Sequence, residues 1–243
     1  MGKTTTAVNL SSSLAKLGKR GLVIDSDPQS NATSGFGISP SEVVASTYTV
    51  LVGDSSADEA IVPTRVPGID ILPSNRELTG AELELVDAEE REYRLRNAIA
   101  PSRSKYDFIL IDCPPSLGLL TVNALSAADA LIVPLQCEYY ALEGLTALLD
   151  TVERIRSALN PELAIAGILL TMFDTRNAIC HQVADEARRH FETKVFTTVI
   201  PRNVRLSESP SHGLPITLYD PGSRGAQSYL ELAAEVAGSI LEN

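Results

Sequence analysis

Two runs of apolar, mostly β-branched residues end in an aspartate, Leu22-Val23-Ile24-Asp25 and Ile109-Leu110-Ile111-Asp112. Runs without polar alternation are buried on both faces, which a strand achieves in a sheet covered by helices on both sides. Ile69-Asp70-Ile71-Leu72, Ala130-Leu131-Ile132-Val133-Pro134-Leu135 and residues 165–171 continue the series, and residues 195–200 predict a further strand. Helical patterns lie between them: 4–17 closed by Gly18, then 77–86, 90–100, 142–159, 183–191 and about 226 to 241. This alternation predicts an α/β fold, a doubly wound, mostly parallel sheet with helices on both faces. The 243 residues hold no internal repeat and no low-complexity linker, so a single domain over 1–243 is expected.

Composition narrows the function classes. Hydrophobic residues at 44% and charged residues at 21% suit an ordered globular protein rather than a disordered one. No apolar run reaches the length of a membrane span, and no secretory signal precedes the first helix. Cys113, Cys137 and Cys180 stand far apart in no metal-like spacing, which argues against a zinc site or a disulfide framework and for a cytoplasmic setting. Trp is absent and aromatics make up 5%, too few for stacking on single-stranded nucleic acid. A formal charge of −11 counts against nucleic acid as a partner. Its distribution softens that: residues 173–225 carry seven Lys/Arg against six acids, leaving 13 against 25 in the remainder. A local basic face is compatible with that stretch.

Four segments carry chemistry. Gly2-Lys3-Thr4-Thr5 opens the first helical pattern with the chemistry of a phosphate-binding loop running into a helix. Backbone N–H groups there hold phosphate oxygens, Lys3 reaches the terminal phosphates, and the Thr4 hydroxyl ligates Mg²⁺. Alone, this tripeptide signal is weak, because Thr is also a common helix cap. Asp25-Ser26-Asp27-Pro28 follows a strand, where two carboxylates two residues apart in extended geometry point the same way. Such acids orient a metal-bound or attacking water; a capping Asp before a Pro turn accounts for them equally well. Asp112 ends its apolar run in the Walker B manner, as the acid beyond the metal's direct ligands, and Cys113-Pro114-Pro115 follows as a stiff loop; an acid at a strand end that merely starts a turn is the common alternative. Ile200-Pro201-Arg202-Asn203-Val204-Arg205 reads as a base-binding loop, Pro201 packing on a purine and Asn203 making paired hydrogen bonds to it. On chemistry alone an ordinary surface turn is the better reading of that segment, and Arg176 is simply an exposed charge.

Taken in order, GKTTTAVNL, VIDSDPQSNATSGFG, YDFILIDCPPSLGLLTVNAL, ADALIVPLQCEYYALEGL, ILLTMFDTRN and VIPRNVRLSESPSHGLPI resemble the ParA/Soj family of chromosome-partitioning ATPases, across essentially the whole chain. The resemblance implies a P-loop NTPase of the deviant Walker A, MinD/ParA group. Such an enzyme uses ATP and Mg²⁺, forms an ATP-dependent homodimer and binds double-stranded DNA without sequence preference. A ParB-type centromere-binding partner stimulates its hydrolysis, and it associates with the nucleoid. By position, Gly2, Lys3, Thr4 and Thr5 contact the phosphates, with Lys3 and Asp27 serving catalysis and Thr4 and Asp112 the metal. Pro201 and Asn203 hold adenine. Arg176 and Arg205 contact DNA, and dimerisation doubles their number.

The resemblance also defines a departure. The family's loop reads Lys-Gly-Gly-X-Gly-Lys-Thr after a central strand, and here Met1 stands at X. The signature lysine, two glycines and that first strand are missing from this sequence, as they would be if its start had been assigned too late. The chain as written is therefore expected to be poorly stable and to bind ATP weakly or not at all. Alternatives of other classes are a nucleotide-blind interaction protein and a MinD-like membrane-positioning ATPase. The latter is disfavoured because residues 232–243 contain no Lys or Arg. An iron–sulfur reductase of related architecture needs paired cluster cysteines, which the three here do not provide.

Overall fold

The computed structural model describes residues 2–138 and 141–241. Met1, at loop position X, and Tyr139 and Tyr140, within one of the resembling segments, lie outside the described residues, as do the last two residues. Among the described residues six strands form, β1 (Gly21–Asp25), β2 (Val62–Pro63), β3 (Ile69–Leu72), β4 (Phe108–Asp112), β5 (Ala130–Gln136) and β6 (Ala164–Thr171). One sheet has the order β2-β3-β1-β4, parallel except for the short β2; β5 and β6 pair in parallel as a second sheet.

The unbroken apolar runs are explained by where alternate residues go. Val23, Ile69, Ile71, Phe108 and Leu110 pack into one core with the first helix (Lys3–Lys16) and the Arg224–Val236 helix. Leu22, Ile24, Leu72, Ile109 and Ile111 face the other way, into a core closed by helices Thr47–Val52, Leu78–Glu84, Arg94–Ile99 and Leu119–Ala127. Successive side chains of a strand point to opposite faces, so a strand between two helical layers must be apolar throughout. The register sets Gly21 opposite Phe108. A Cβ on Gly21 would come within 2.1 Å of that ring, so this position admits no side chain without displacing Phe108.

The first helix ends where Gly18 takes φ 83°, with Lys19 N–H bonded back to the Leu14 carbonyl, the left-handed stop that glycine favours. Its buried face is partly polar. Thr6 meets the Tyr229 hydroxyl at 3.2 Å, Ser12 meets Thr217, and Asn9 accepts the Ile216 N–H at 2.7 Å while donating to the Thr5 carbonyl. These bonds satisfy the Thr6, Asn9 and Ser12 side chains and lock the helix against the C-terminal segment, while the buried Ser13 hydroxyl is left without a partner among the described residues.

Two findings differ from a plain reading of the pattern. Residues 195–200 do not form a regular strand; Val195 makes a single bridge to Ile168 of β6, and just beyond both segments Pro201 bridges Phe173. The Thr197 and Thr198 N–H groups donate instead to the two carboxylate oxygens of Glu235, at 2.7 and 3.0 Å, which takes them out of any ladder. The second concerns the sheet centre. β4 and β5 both touch the first helix, Leu110 and Ile132 lean on the same core, and each strand keeps one edge without a ladder partner among the described residues. All five residues of β1 are buried, whereas Ile109, Leu110 and Ile111 of β4 are only half-buried. The α/β architecture is as expected, with a split sheet in place of a continuous one.

Candidate nucleotide site

Parallel pairing brings the two strand-ending acids together. Asp25 and Asp112 are register partners at the carboxyl ends of β1 and β4, the rim at which α/β proteins bind ligands. The first helix begins at the same rim. Gly2 caps it at φ 83°, a left-handed conformation that suits glycine, and accepts the Thr6 N–H at 2.8 Å. Lys3 is close enough to help stabilise the ionised Asp112, and the Thr4 hydroxyl acts on that carboxylate in the same sense.

The acids have different surroundings. Asp25 is fully buried and satisfied: it accepts the Thr33 N–H at 2.8 Å, the Thr33 hydroxyl at 2.6 Å and the Asp27 N–H at 3.2 Å. Burial pushes its carboxyl up to about 6 against these bonds. Thr33 in turn accepts the Ser74 N–H, and the Ser74 hydroxyl donates to the Asp27 carbonyl at 2.9 Å. Asp25 therefore holds the loop that carries Asp27, its own oxygens being taken by Thr33 and the Asp27 N–H. Asp27 accepts the Gln29 N–H at 2.9 Å. Asp112 is 2% exposed, and neither of its oxygens has a partner in hydrogen-bonding geometry. Burial raises it to about 7, Thr4 opposes this, Asp25 and Asp27 add to it and Lys3 opposes it. An unpartnered buried carboxylate facing a helix start, a lysine and a threonine suits a divalent cation with phosphate, because the cation compensates the charge that burial penalises.

The base-loop residues lie on the same rim. Gly2 sits against Thr171 at the end of β6, and two residues further on Phe173 exchanges backbone bonds with the 200–202 segment. Pro201 is half-buried there, at the edge of a groove of about 690 Å³ that extends away from it toward the Arg224–Val236 helix. Asn203 caps the Val204–Glu208 helix, its side-chain oxygen accepting the Arg205 N–H at 2.9 Å. A paired contact to a purine thus has to share that oxygen. Arg176 is exposed and bonded to Asp174 at 3.1 and 3.2 Å; Arg205 pairs with Glu208 at 2.9 Å and Asp220 at 3.3 Å.

Residues 1–165 match the family described as AAA domain. The chain is 54% identical to the sporulation initiation inhibitor protein Soj of Bacillus subtilis, over 98% of this chain and 94% of that protein. It is 52% identical to the chromosome partitioning protein ParA of Myxococcus xanthus, over 97% and 83%. The chain belongs to the Soj/ParA family of chromosome-partitioning ATPases. Cobyrinic acid a,c-diamide synthase from Mycobacterium smegmatis, solved with an ATP analogue and magnesium, shares the fold at a TM-score of 0.84. It is 36% identical, with 96% of this chain and 88% of that one covered. As a Soj/ParA member the chain is a P-loop ATPase whose cofactors are ATP and Mg²⁺. Sequence reasoning missed that Asp25 anchors the loop and that Arg202 and Arg224 line one groove with Arg176. Thr33, eight residues after Asp25, was the only local hint of the first; the second needed the chain to be folded.

Proposed function

We propose that this chain is a DNA-segregation ATPase whose phosphate site is built from Gly2, Lys3, Thr4 and Thr5 at the start of the first helix. The observation that carries the proposal is Asp112: a buried carboxylate without hydrogen-bond partners, facing Lys3 and Thr4. Backbone N–H groups of the first turn bind phosphate oxygens, and Lys3 neutralises the terminal phosphates. The Thr4 hydroxyl and Asp112 hold Mg²⁺, which when bound supplies positive charge against the phosphoryl oxygens. Asp27, held by the Asp25–Thr33–Ser74 network, orients the attacking water. Pro201 packs on the base and Asn203 donates to it.

In the ATP state the chain forms a homodimer that binds double-stranded DNA through Arg176 and Arg205, and a ParB-type partner triggers hydrolysis. Its place is the cytoplasm, on the nucleoid; no described helix is long and apolar enough to cross a membrane. The test is turnover of Mg-ATP with DNA and a ParB-type protein. Lys3→Ala is expected to abolish nucleotide binding. Asp27→Ala is expected to keep binding and lose hydrolysis by a factor of about 10² or more. Binding retained in the lysine variant overturns the assignment.

A further inference from the structure

The groove beside Pro201 is lined from three sides. The 173–176 loop after β6 brings Asp174 and Arg176; the 197–202 segment brings Thr197, Thr198 and Arg202; the start of the Arg224–Val236 helix brings Arg224 and Gln227. Three arginines therefore converge on one concave face of a chain whose net charge is −11. Arg176 is held by Asp174, whose carboxyl is kept below its usual range by that bond. Among the described residues neither Arg202 nor Arg224 forms an ion pair, although Arg202 is near enough to Asp174 to help hold its carboxyl low; Glu231 is the other acid of the lining. Arg205, in contrast, lies outside the groove and is engaged by two carboxylates.

We propose that this groove seats the DNA backbone, with Arg202 and Arg224 as phosphate contacts additional to Arg176 and Arg205, and Asp174 as the acid that phosphate must displace from Arg176. The inference rests on the DNA-binding reading above and deepens it by naming the contacts. Guanidinium groups bind phosphate oxygens through paired N–H donors and carry no sequence information, which fits binding without sequence preference. The mixed polar wall of Thr197, Thr198 and Gln227 supplies further hydrogen-bonding groups to the sugar–phosphate chain.

The experiment is a salt titration of DNA affinity for the full chain with ATP. Arg202→Ala and Arg224→Ala are each expected to weaken binding about tenfold and to lower the slope of log affinity against log salt by about 1. Arg202→Lys and Arg224→Lys recover most of the slope, which a folding defect would not allow. Asp174→Asn frees Arg176 and is expected to tighten binding several-fold. Wild-type binding that keeps its affinity and slope in both alanine variants overturns the groove assignment while leaving the DNA reading intact. No DNA binding by the wild-type chain in any nucleotide state overturns both.

Discussion

Asp112 shows how one side chain trades stability against function. In water an aspartate ionises near pH 4, but burial raises this one to about 7, Thr4 and Lys3 offsetting only part of the effect. Between those values the folded protein keeps a proton that the unfolded chain has released, so stability falls as pH rises from about 4 through 7. The loss amounts to up to roughly 4 kcal/mol for this group, with Asp25 adding to it in the lower part of the range. Asp112→Asn is expected to flatten that dependence and to stabilise the ligand-free protein at pH 8, while ATP turnover is lost. Urea melts at pH 5 and pH 8 check this; an unchanged difference between the two pH values in the variant counts against it. The acid itself was legible in the sequence as the end of an apolar strand. Its isolation was not, because that depends on what β1 and the first helix bring to it.

At the scale of elements, most strands and helices could be read from periodicity, and the segment 195–200 shows where that reading stops. Val195, Phe196, Val199 and Ile200 have strand-like side chains, and Phe196 and Ile200 are buried as a strand would bury them. Glu235, some forty residues later, takes two successive N–H groups, one of which a regular ladder with β6 would need. Burial works against its charge, and the Thr197 and Thr198 N–H donors outweigh it, leaving the carboxyl below its usual range. Glu235→Ala is expected to cost about 1 kcal/mol, since the freed N–H groups are partly reachable by water. It should also shift the amide resonances of Thr197 and Thr198. If those two signals stay where they were, the capture is not what shapes the segment. Asn203 makes a similar point: its side chain serves as a helix cap before it serves any ligand.

For the whole molecule the dominant feature is the split sheet. β1 has ladder partners on both sides, β4 and β5 on one each, and the apolar residues of β4 are half-buried where those of β1 are sealed. Unpaired edges leave backbone groups to water and expose apolar surface, which lowers stability and invites association. Hydrogen exchange is expected to separate the strands: slow throughout β1, and fast at those amides of β4 and β5 that face the open edges. Uniform protection across β1, β4 and β5 would mean that these edges are covered in solution.

The sequence by itself determined the alternation of strands and helices, the two aspartates at strand ends and the Gly-Lys-Thr helix start, because each rests on local periodicity and local backbone chemistry. Tertiary structure alone decided which acid is anchored and which is left without partners, that 195–200 is irregular, and that Arg202 and Arg224 join Arg176 around one groove. Those outcomes depend on contacts between residues far apart in the chain. The Asp25–Asp112 register spans 87 positions and the Glu235 bonds span 37 and 38. No local pattern encodes which distant groups will meet; packing and the need to satisfy buried polar atoms settle it.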